Sequence, residues 1–191
     1  CATSGRTSSR SASSGGTGVN LATNAGNVTF GAFSVAPDAN QRGLLATENS
    51  GTLTIASGTV TTTGNTAVEV TKTSGATPLA VTLTAVSANG GPNGIYLSRT
   101  SGSFTVAGTG SAGSGGTIRN QVGADGAVAG SGVYLSNVSN VSLARMQLND
   151  FPNFAIRGIG VSGFSLTNSV VNGVNGTNAA IDEATIAFDG L

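Results

Sequence analysis

Few side chains of this protein could take part in chemistry. Charged residues make up 8% of its 191 residues, and histidine is absent. The absence of histidine excludes Ser-His-Asp and Cys-His catalysis and histidine zinc sites, and with Cys1 as the sole cysteine a cysteine zinc site and an internal disulfide are excluded as well. The eight basic residues, Lys72 and seven arginines, are balanced by eight acids. The sequence therefore has no basic stripe, and neither a nucleic acid nor an anionic membrane is predicted as a partner.

Two tyrosines are the first candidate contacts for a ligand or partner. Tyr96 and Tyr134 occupy equivalent outward positions in two matching segments, Gly94-Ile95-Tyr96-Leu97 and Gly132-Val133-Tyr134-Leu135. Stacked aromatic rings can hold a sugar ring, although packing between the two segments explains them equally well.

Two charged residues, Arg119 and Asp125, are the other candidate contacts. They lie in a stretch rich in Gly, Ser and Ala, Gly108 to Gly132, which makes one repeat longer than the rest. Insertions in repeat proteins emerge as loops on one face, often a binding face. A tolerated flexible loop is the simpler interpretation.

A repeating unit must position these candidates. A triplet of an apolar residue, a Thr or Ser and a second apolar residue returns six times, at spacings of 23 to 37 residues: Val28-Thr29-Phe30, Leu53-Thr54-Ile55, Val81-Thr82-Leu83, Phe104-Thr105-Val106, Val141-Ser142-Leu143 and Phe164-Ser165-Leu166. A second apolar element starts 8 to 13 residues before each triplet, and glycine opens four of these elements, at Gly18, Gly43, Gly94 and Gly132. Repetition with such a period is typical of a solenoid, a propeller or an array.

Each unit predicts two or three short strands. Apolar residues alternate with hydroxyl-bearing ones, which is the period-2 pattern of a half-buried strand, and turns rich in Asn and Gly separate the strands. Thirty glycines disfavour helices. The pattern therefore predicts an all-β parallel solenoid over residues 18–191, with an insertion at 108–132. It should have about six rungs, a rung being one turn of the coil, and an incomplete terminal rung.

The middle hydroxyls of the six triplets are expected to stack into one outward column, formed by Thr29, Thr54, Thr82, Thr105, Ser142 and Ser165. A flat array of this kind could bind ice or a carbohydrate surface. The solvent-facing side of a strand explains it more simply.

Three segments resemble a known family of repeats: Gly94 to Ser98, Gly132 to Leu143 and Gly163 to Gly173. They are similar to the right-handed parallel β-helix repeats of large secreted bacterial proteins, in autotransporter passengers, surface adhesins and pectate-lyase-like carbohydrate enzymes. The resemblance covers about Gly18 to Leu191. It implies a right-handed parallel β-helix in an extracellular or cell-surface bacterial protein, but it implies little about activity, since one fold hosts many functions.

The enzymes of that family imply carboxylates that hold calcium and a basic residue that removes a proton. Arg145, Asp150 and Arg157 are the charges available in adjacent rungs, and no dense carboxylate cluster accompanies them. The acidic group of Asp182, Glu183 and Asp189 is the alternative position for calcium. We therefore predict no catalytic, metal or cofactor-binding residue, with calcium as the cofactor left open.

The two ends of the sequence carry separate expectations. Residues 1–17 are rich in Ser, Gly, Thr and Ala and predict a leader or linker, in which Cys1 could carry a lipid anchor. The sequence contains no run of about 18 apolar residues, so no transmembrane segment is predicted. Thr185 to Leu191 predicts the first strand of a seventh rung, whose open edge a protein partner or further chain would cover.

The sequence thus favours a structural or adhesive β-solenoid segment of a secreted or cell-surface bacterial protein, without catalysis of its own. A carbohydrate-binding or polysaccharide-degrading β-helix is the alternative, for which surface glycans are the expected ligands. A subunit of a surface assembly, docked through its terminal rung, is a third hypothesis.

Overall fold

A computed structural model describes residues 16–178 and 183–190, in which every regular element is a β-strand. In chain order these are β1 Val19–Ala22, β2 Val28–Val35, β3 Leu44–Thr47, β4 Leu53–Thr63, β5 Val68–Thr71, β6 Thr77–Leu83, β7 Ala85–Asn89, β8 Asn93–Val106, β9 Gly116–Arg119, β10 Ser131–Ala144, β11 Met146–Phe151, β12 Ile156–Thr167, β13 Val170–Asn175 and β14 Ile186–Asp189. All their pairings are parallel and join them in one sheet. The predicted all-β solenoid of about six rungs is confirmed.

Strands of successive rungs stack in three columns. The first column contains β1, β3, β5, the first halves of β8, β10 and β12, and then β14. The second column contains the starts of β2 and β4, all of β6, and the second halves of β8, β10 and β12. The third column contains the ends of β2 and β4, followed by β7, β9, β11 and β13. Each column forms one side of the coil.

The core lies inside the coil and follows the period-2 pattern of the sequence. In the first column, Val68, Ile95, Val133 and Ile156 pair in consecutive rungs, and each is 0% exposed. Burying one aliphatic side chain of this size contributes about 1.5–3 kcal/mol. Stacked aliphatic residues of this kind therefore stabilise one rung against the next.

Glycine opens the units because the corner between the third and first columns is tight. A Cβ atom built on Gly94 would lie 2.6 Å from Ile118 Cδ1, and one built on Gly132 would lie 2.7 Å from Phe151 Cζ. In both cases the side chain that fills the corner comes from the third strand segment of the same rung. The same contact recurs in the first two rungs, between Gly18 and Val35 and between Gly43 and Val60.

The outward hydroxyl column differs from the prediction at the third rung. Thr54 pairs with Ala80, and Thr82 pairs with Thr105. The third triplet is therefore displaced by two residues, which keeps inward residues inward but moves the hydroxyl along the strand. The prediction of a single column is therefore wrong. The structure has two shorter columns, Thr29 with Thr54, and Thr82 with Thr105, Ser142 and Ser165.

The stretch interpreted as an insertion, residues 108–132, includes a strand. Its middle part forms β9, which occupies the third column between β7 and β11. Two connections, residues 107–115 and 120–130, flank this strand. The insertion therefore adds to the coil as well as to its surface.

The predicted first strand of a seventh rung is present as β14, which pairs with β12. The predicted leader, including Cys1, lies outside the described residues except for Gly16 and Thr17. Within the described ranges, no helix is long and apolar enough to cross a membrane. The right-handed winding, which the family resemblance implies, stays a prediction.

Candidate functional site

The outward side of the third column carries a continuous polar surface. The strand register places two rows of side chains along it: Thr61, Ser87, Thr117, Gln147 and Val170 in one, and Thr63, Asn89, Arg119, Asn149 and Asn172 in the other. Two depressions of about 430 and 400 Å³ lie over these rows and share Arg119, Gln147 and Asn149. We call their joint surface the trough. It extends over four rung-to-rung steps, or about 19 Å at the usual strand spacing.

Hydrogen bonds between rungs hold the polar side chains of the trough. Thr117 Oγ1 donates to Gln147 Oε1 at 3.3 Å, and Asn120 Nδ2 donates to Asn89 Oδ1 at 2.9 Å. The backbone N–H of Thr117 also donates to Ser87 Oγ at 3.2 Å. Because these contacts restrict the side chains before any ligand arrives, less entropy is lost when a ligand binds.

The connections on either side of β9 border the trough. Gly113, in the connection before β9, lies against the Gln147 side chain, since a Cβ atom built on it would be 2.8 Å from Nε2. On the other side, Asn120 at the start of the connection after β9 and Asp150 on β11 line the trough with backbone φ angles of 53° and 60°. Asparagine and aspartate are among the non-glycine residues that tolerate this left-handed region best. The glycine-rich stretch therefore forms part of the trough.

Arg119 and Asp150 are the charged side chains that line the trough. Arg119 is exposed at the end of β9, and its row neighbours are Asn89 and Asn149. Within the described residues it forms no ion pair. Asp150 Oδ1 accepts a hydrogen bond from the backbone N–H of Val174 at 3.1 Å. The guanidinium is therefore available to a ligand, whereas the carboxylate is partly committed to the backbone.

The two candidate tyrosines contact each other on another side of the coil. Tyr96 and Tyr134 pair in register in the first column, and their ring centroids are 5.6 Å apart in an edge-to-face arrangement. Burial raises the pKa of Tyr96, and the electrostatic effects of Tyr134 and Glu69 raise it further. The structure brings these two candidates together but does not bring them to Arg119.

Charged residues flank the tyrosine pair in the same row. Glu69 precedes Tyr96 and Arg157 follows Tyr134 in consecutive rungs. Each charge has a partner of its own, Arg42 for Glu69 at 2.7 Å and Asp189 for Arg157. The tyrosine pair therefore lies between two ion pairs, an arrangement for which cross-rung packing is a sufficient explanation.

Asp125 takes part in a tether between two connections. Its Oδ2 accepts a hydrogen bond from Asn178 Nδ2 at 3.2 Å. Nearby, the Glu183 carboxylate accepts the backbone N–H groups of Thr177 and Asn178 at 2.7 Å each and of Gly126 at 3.4 Å. Desolvation raises the pKa of Glu183, but the three backbone donors together lower it below its ordinary value. Asp125 and Glu183 thus hold the connection after β9 against the segment after β13.

The residues considered for a lyase site lie on different parts of the coil. Arg145 Nη1 donates to the carbonyl oxygen of Ala107 at 3.1 Å, at the turn before β11. Arg157 lies in the first column and Asp150 at the end of β11 in the third. Asp182 is outside the described residues. Among the residues that the structure describes, no group of three His, Cys, Asp or Glu side chains could hold a metal ion.

No protein-family model, curated protein or solved structure matches this chain. The β-solenoid is therefore supported by strand pairing alone. The finer resemblance, to pectate-lyase-like enzymes or autotransporter passengers, stays a prediction.

The sequence candidates include one trough residue, Arg119, and omit the amides around it. The sequence does indicate these amides, because polar and apolar residues alternate within the third element of each unit. Val86-Ser87-Ala88-Asn89 and Met146-Gln147-Leu148-Asn149 are two examples. Aligning these segments predicts Gln147 and Asn149 as outward neighbours on one strand.

Proposed function

We propose that this protein is a noncatalytic, adhesive β-solenoid of a secreted or cell-surface bacterial protein, and that it holds a glycan chain in the trough. The observation that carries the proposal is the run of hydroxyl and amide side chains from Thr61 to Asn172, in whose two rows Arg119 is the one charged member and Val170 the one apolar member.

The chemistry of the trough suits a sugar chain. Asn and Gln side chains each offer both donors and acceptors, and Thr and Ser hydroxyls can do either, which matches the hydroxyl groups of a glycan. The trough is long and shallow, so it fits an extended chain better than a compact ligand. Cross-rung hydrogen bonds such as Thr117 to Gln147 keep its donors and acceptors in place.

The carboxylates favour binding over hydrolysis. Glycosidases place two carboxyl groups about 5 or 6.5–9.5 Å apart across the bond that is cleaved. Among the described residues that line the two depressions, Asp150 is the single acid, and it accepts a backbone hydrogen bond from Val174. This supports a protein that holds a glycan without cleaving it.

A glycan array followed by isothermal titration calorimetry tests the proposal. The Gln147→Ala/Asn149→Ala double variant removes two amides from the shared part of the trough and is expected to weaken binding at least about tenfold. The matched control is Thr105→Ala/Ser142→Ala, which truncates two outward hydroxyls of the second column, in the fourth and fifth rungs. The control should bind as the wild type does. Absence of glycan binding, or equal losses in both variants, would contradict the proposal.

One observation favours a second role, contact with a protein partner or further chain. Val170, Val174 and Ile186, on β13 and β14, are 46%, 63% and 42% exposed. Contiguous exposed apolar residues mark interaction surfaces, and Val170 and Val174 lie together on β13, the last strand of the third column. Analytical ultracentrifugation and electron microscopy of the wild type and of Val170→Ser/Val174→Ser test this role. Association of the wild type that the variant lacks would support it, whereas two monodisperse monomers would contradict self-assembly through this surface.

A further inference from the structure

We infer that the trough selects an anionic glycan, a linear sugar chain that carries carboxylate or sulfate groups, and that Arg119 is the residue that recognises the anion. This inference rests on the proposed function and names the class of its ligand. It is carried by the place of Arg119, which lines both depressions at the point where they overlap. A ligand that spans the trough must pass this guanidinium.

The charge of Arg119 is not neutralised by an ion pair with any described residue. Its neighbours in the row are the neutral amides of Asn89 and Asn149, and it forms no ion pair within the part of the chain that the structure describes. A guanidinium presents five N–H donors in a rigid fork that matches the oxygens of a planar carboxylate or a sulfate. A hydrogen bond with charged partners is worth more than one between neutral groups.

The backbone of Arg119 is held in place although its side chain is exposed. Its carbonyl oxygen accepts the backbone N–H of Gly90 at 3.1 Å and the side-chain amide of Gln121 at 3.0 Å. Gln121 is 3% exposed, so this support comes from inside the protein. The base of the Arg119 side chain is therefore preorganised, which lowers the entropic cost of recognising an anion.

Asp150 limits how an anion approaches Arg119. It lines only the depression towards β13, and it follows Asn149, the register partner of Arg119, on β11. Its Oδ1 is engaged by the Val174 N–H and lies against the backbone of Gly173, so the carboxylate cannot swing away easily. A like charge on the ligand is repelled by Asp150 and attracted by Arg119. The acidic group of the sugar chain therefore binds to Arg119 on the side away from Asp150.

Three oligosaccharides of equal length distinguish the possible ligands: a uronic-acid chain, the same chain with its carboxyl groups reduced to alcohols, and a sulfated chain. In calorimetry the wild type is expected to bind at least one acidic chain about tenfold more tightly than the neutral chain. This preference should shrink at high ionic strength, because salt screens exposed charges. Preference for the uronate or for the sulfated chain identifies which anion the trough accepts.

Variants separate recognition of the anion from general binding. Arg119→Gln is expected to abolish the preference for the acidic chain, so that the variant binds the acidic and the neutral chain with equal affinity. Asp150→Asn keeps the acceptor for Val174 and should tighten binding of the acidic chain. The matched control is Arg99→Gln, which removes the same charge from an exposed arginine of the fourth rung, outside the trough. Circular dichroism and thermal unfolding confirm that each variant is folded.

The outcomes distinguish this inference from the proposed function. If acidic and neutral chains bind equally, or if Arg119→Gln and Arg99→Gln lose the same affinity, selection by Arg119 is wrong while glycan binding stands. If none of the three chains binds, both ideas fail.

Discussion

The side-chain amide of the fully buried Asn153 donates to the carbonyl oxygen of Ala129 at 2.7 Å. The same nitrogen lies 3.0 Å from the carbonyl oxygens of Ala124 and Ala127. One side chain, in the connection between β11 and β12, thus meets three backbone acceptors of the connection that leaves β9 beside the trough. The conformation of that connection therefore depends on a residue from the next rung.

Replacing Asn153 with alanine should loosen this connection. The three carbonyl oxygens would lose their shared donor, and an unsatisfied buried polar group costs about 1–3 kcal/mol. We expect Asn153→Ala to lower the free energy of unfolding by an amount in this range and to accelerate hydrogen exchange of the amides in residues 120–130. Asn20→Ala, at an exposed position of β1, is the control and should change stability by less than about 0.5 kcal/mol. Unchanged exchange in Asn153→Ala would show that the amide does not hold the connection.

Gly94→Ala should destabilise the coil through a single steric contact. The nearest atoms to a Cβ atom at this position all belong to the Ile118 side chain, with Cδ1 at 2.6 Å. Overpacking of this kind costs about 1–3 kcal/mol, which denaturant unfolding can measure. Gly31→Ala is the control, because a Cβ atom there meets nothing within 4 Å.

A double-mutant cycle shows whether Ile118 is the cause. Ile118→Ala creates a cavity, and Gly94→Ala then has room for its methyl group. The double variant should be more stable than the sum of the two single losses predicts. Strict additivity would mean that Gly94 is required for a different reason.

Acid should release the tether formed by Glu183. Its pKa is lowered in the folded protein because the backbone N–H groups of Asn178, Thr177 and Gly126 stabilise the carboxylate, against an opposing effect of desolvation. A lowered folded pKa contributes stability above the unfolded value of about 4.3, and this contribution is lost as the pH falls through the folded pKa. We therefore expect Glu183→Gln to be less stable than the wild type at neutral pH and to match it in strong acid. A difference independent of pH, in thermal unfolding, would assign the effect to packing.

Tyr96 should ionise at a higher pH than an exposed tyrosine. Burial, Tyr134 and Glu69 all raise its pKa. Because the chain has two tyrosines, the variant Tyr134→Phe leaves Tyr96 as the single reporter in an ultraviolet titration. Because the Tyr96 pKa is higher in the folded than in the unfolded protein, its contribution to the free energy of unfolding is fully present below the unfolded pKa of about 10. This contribution is lost as the pH rises through the folded pKa.

Changing the charge near Tyr96 tests the electrostatic contribution. In the Tyr134→Phe background, Glu69→Gln should lower the Tyr96 pKa, since a neutral amide no longer opposes tyrosinate. Asp38→Asn, which removes a carboxylate elsewhere in the chain, is the control. Equal titration curves for the two variants would mean that burial alone raises the pKa.

The sequence predicts the fold well because the pattern that specifies it is local. Alternation in segments such as Val133 to Leu135 separates inward from outward residues. The 0% exposure of Val133 and Leu135 confirms that these two residues face inward. The glycine before each of four first strands is also visible in the sequence, although its contact with the third strand segment, as at Gly94 and Ile118, is not. The candidate site is less predictable. Arg119 lies in the trough, whereas Tyr96, Tyr134 and Asp125 lie elsewhere.

By itself, the sequence determined that the chain is built of short strands in repeated units, and which side chains of each strand face inward. The tertiary structure alone decided which outward side chains become neighbours, because the register between rungs depends on the length and path of the connections. It set Thr54 opposite Ala80 instead of Thr82, and it placed Arg119 between Asn89 and Asn149. Alternation has a period of two residues and is unchanged by a shift of two, so it cannot distinguish these registers. The trough exists because packing of whole rungs made that choice.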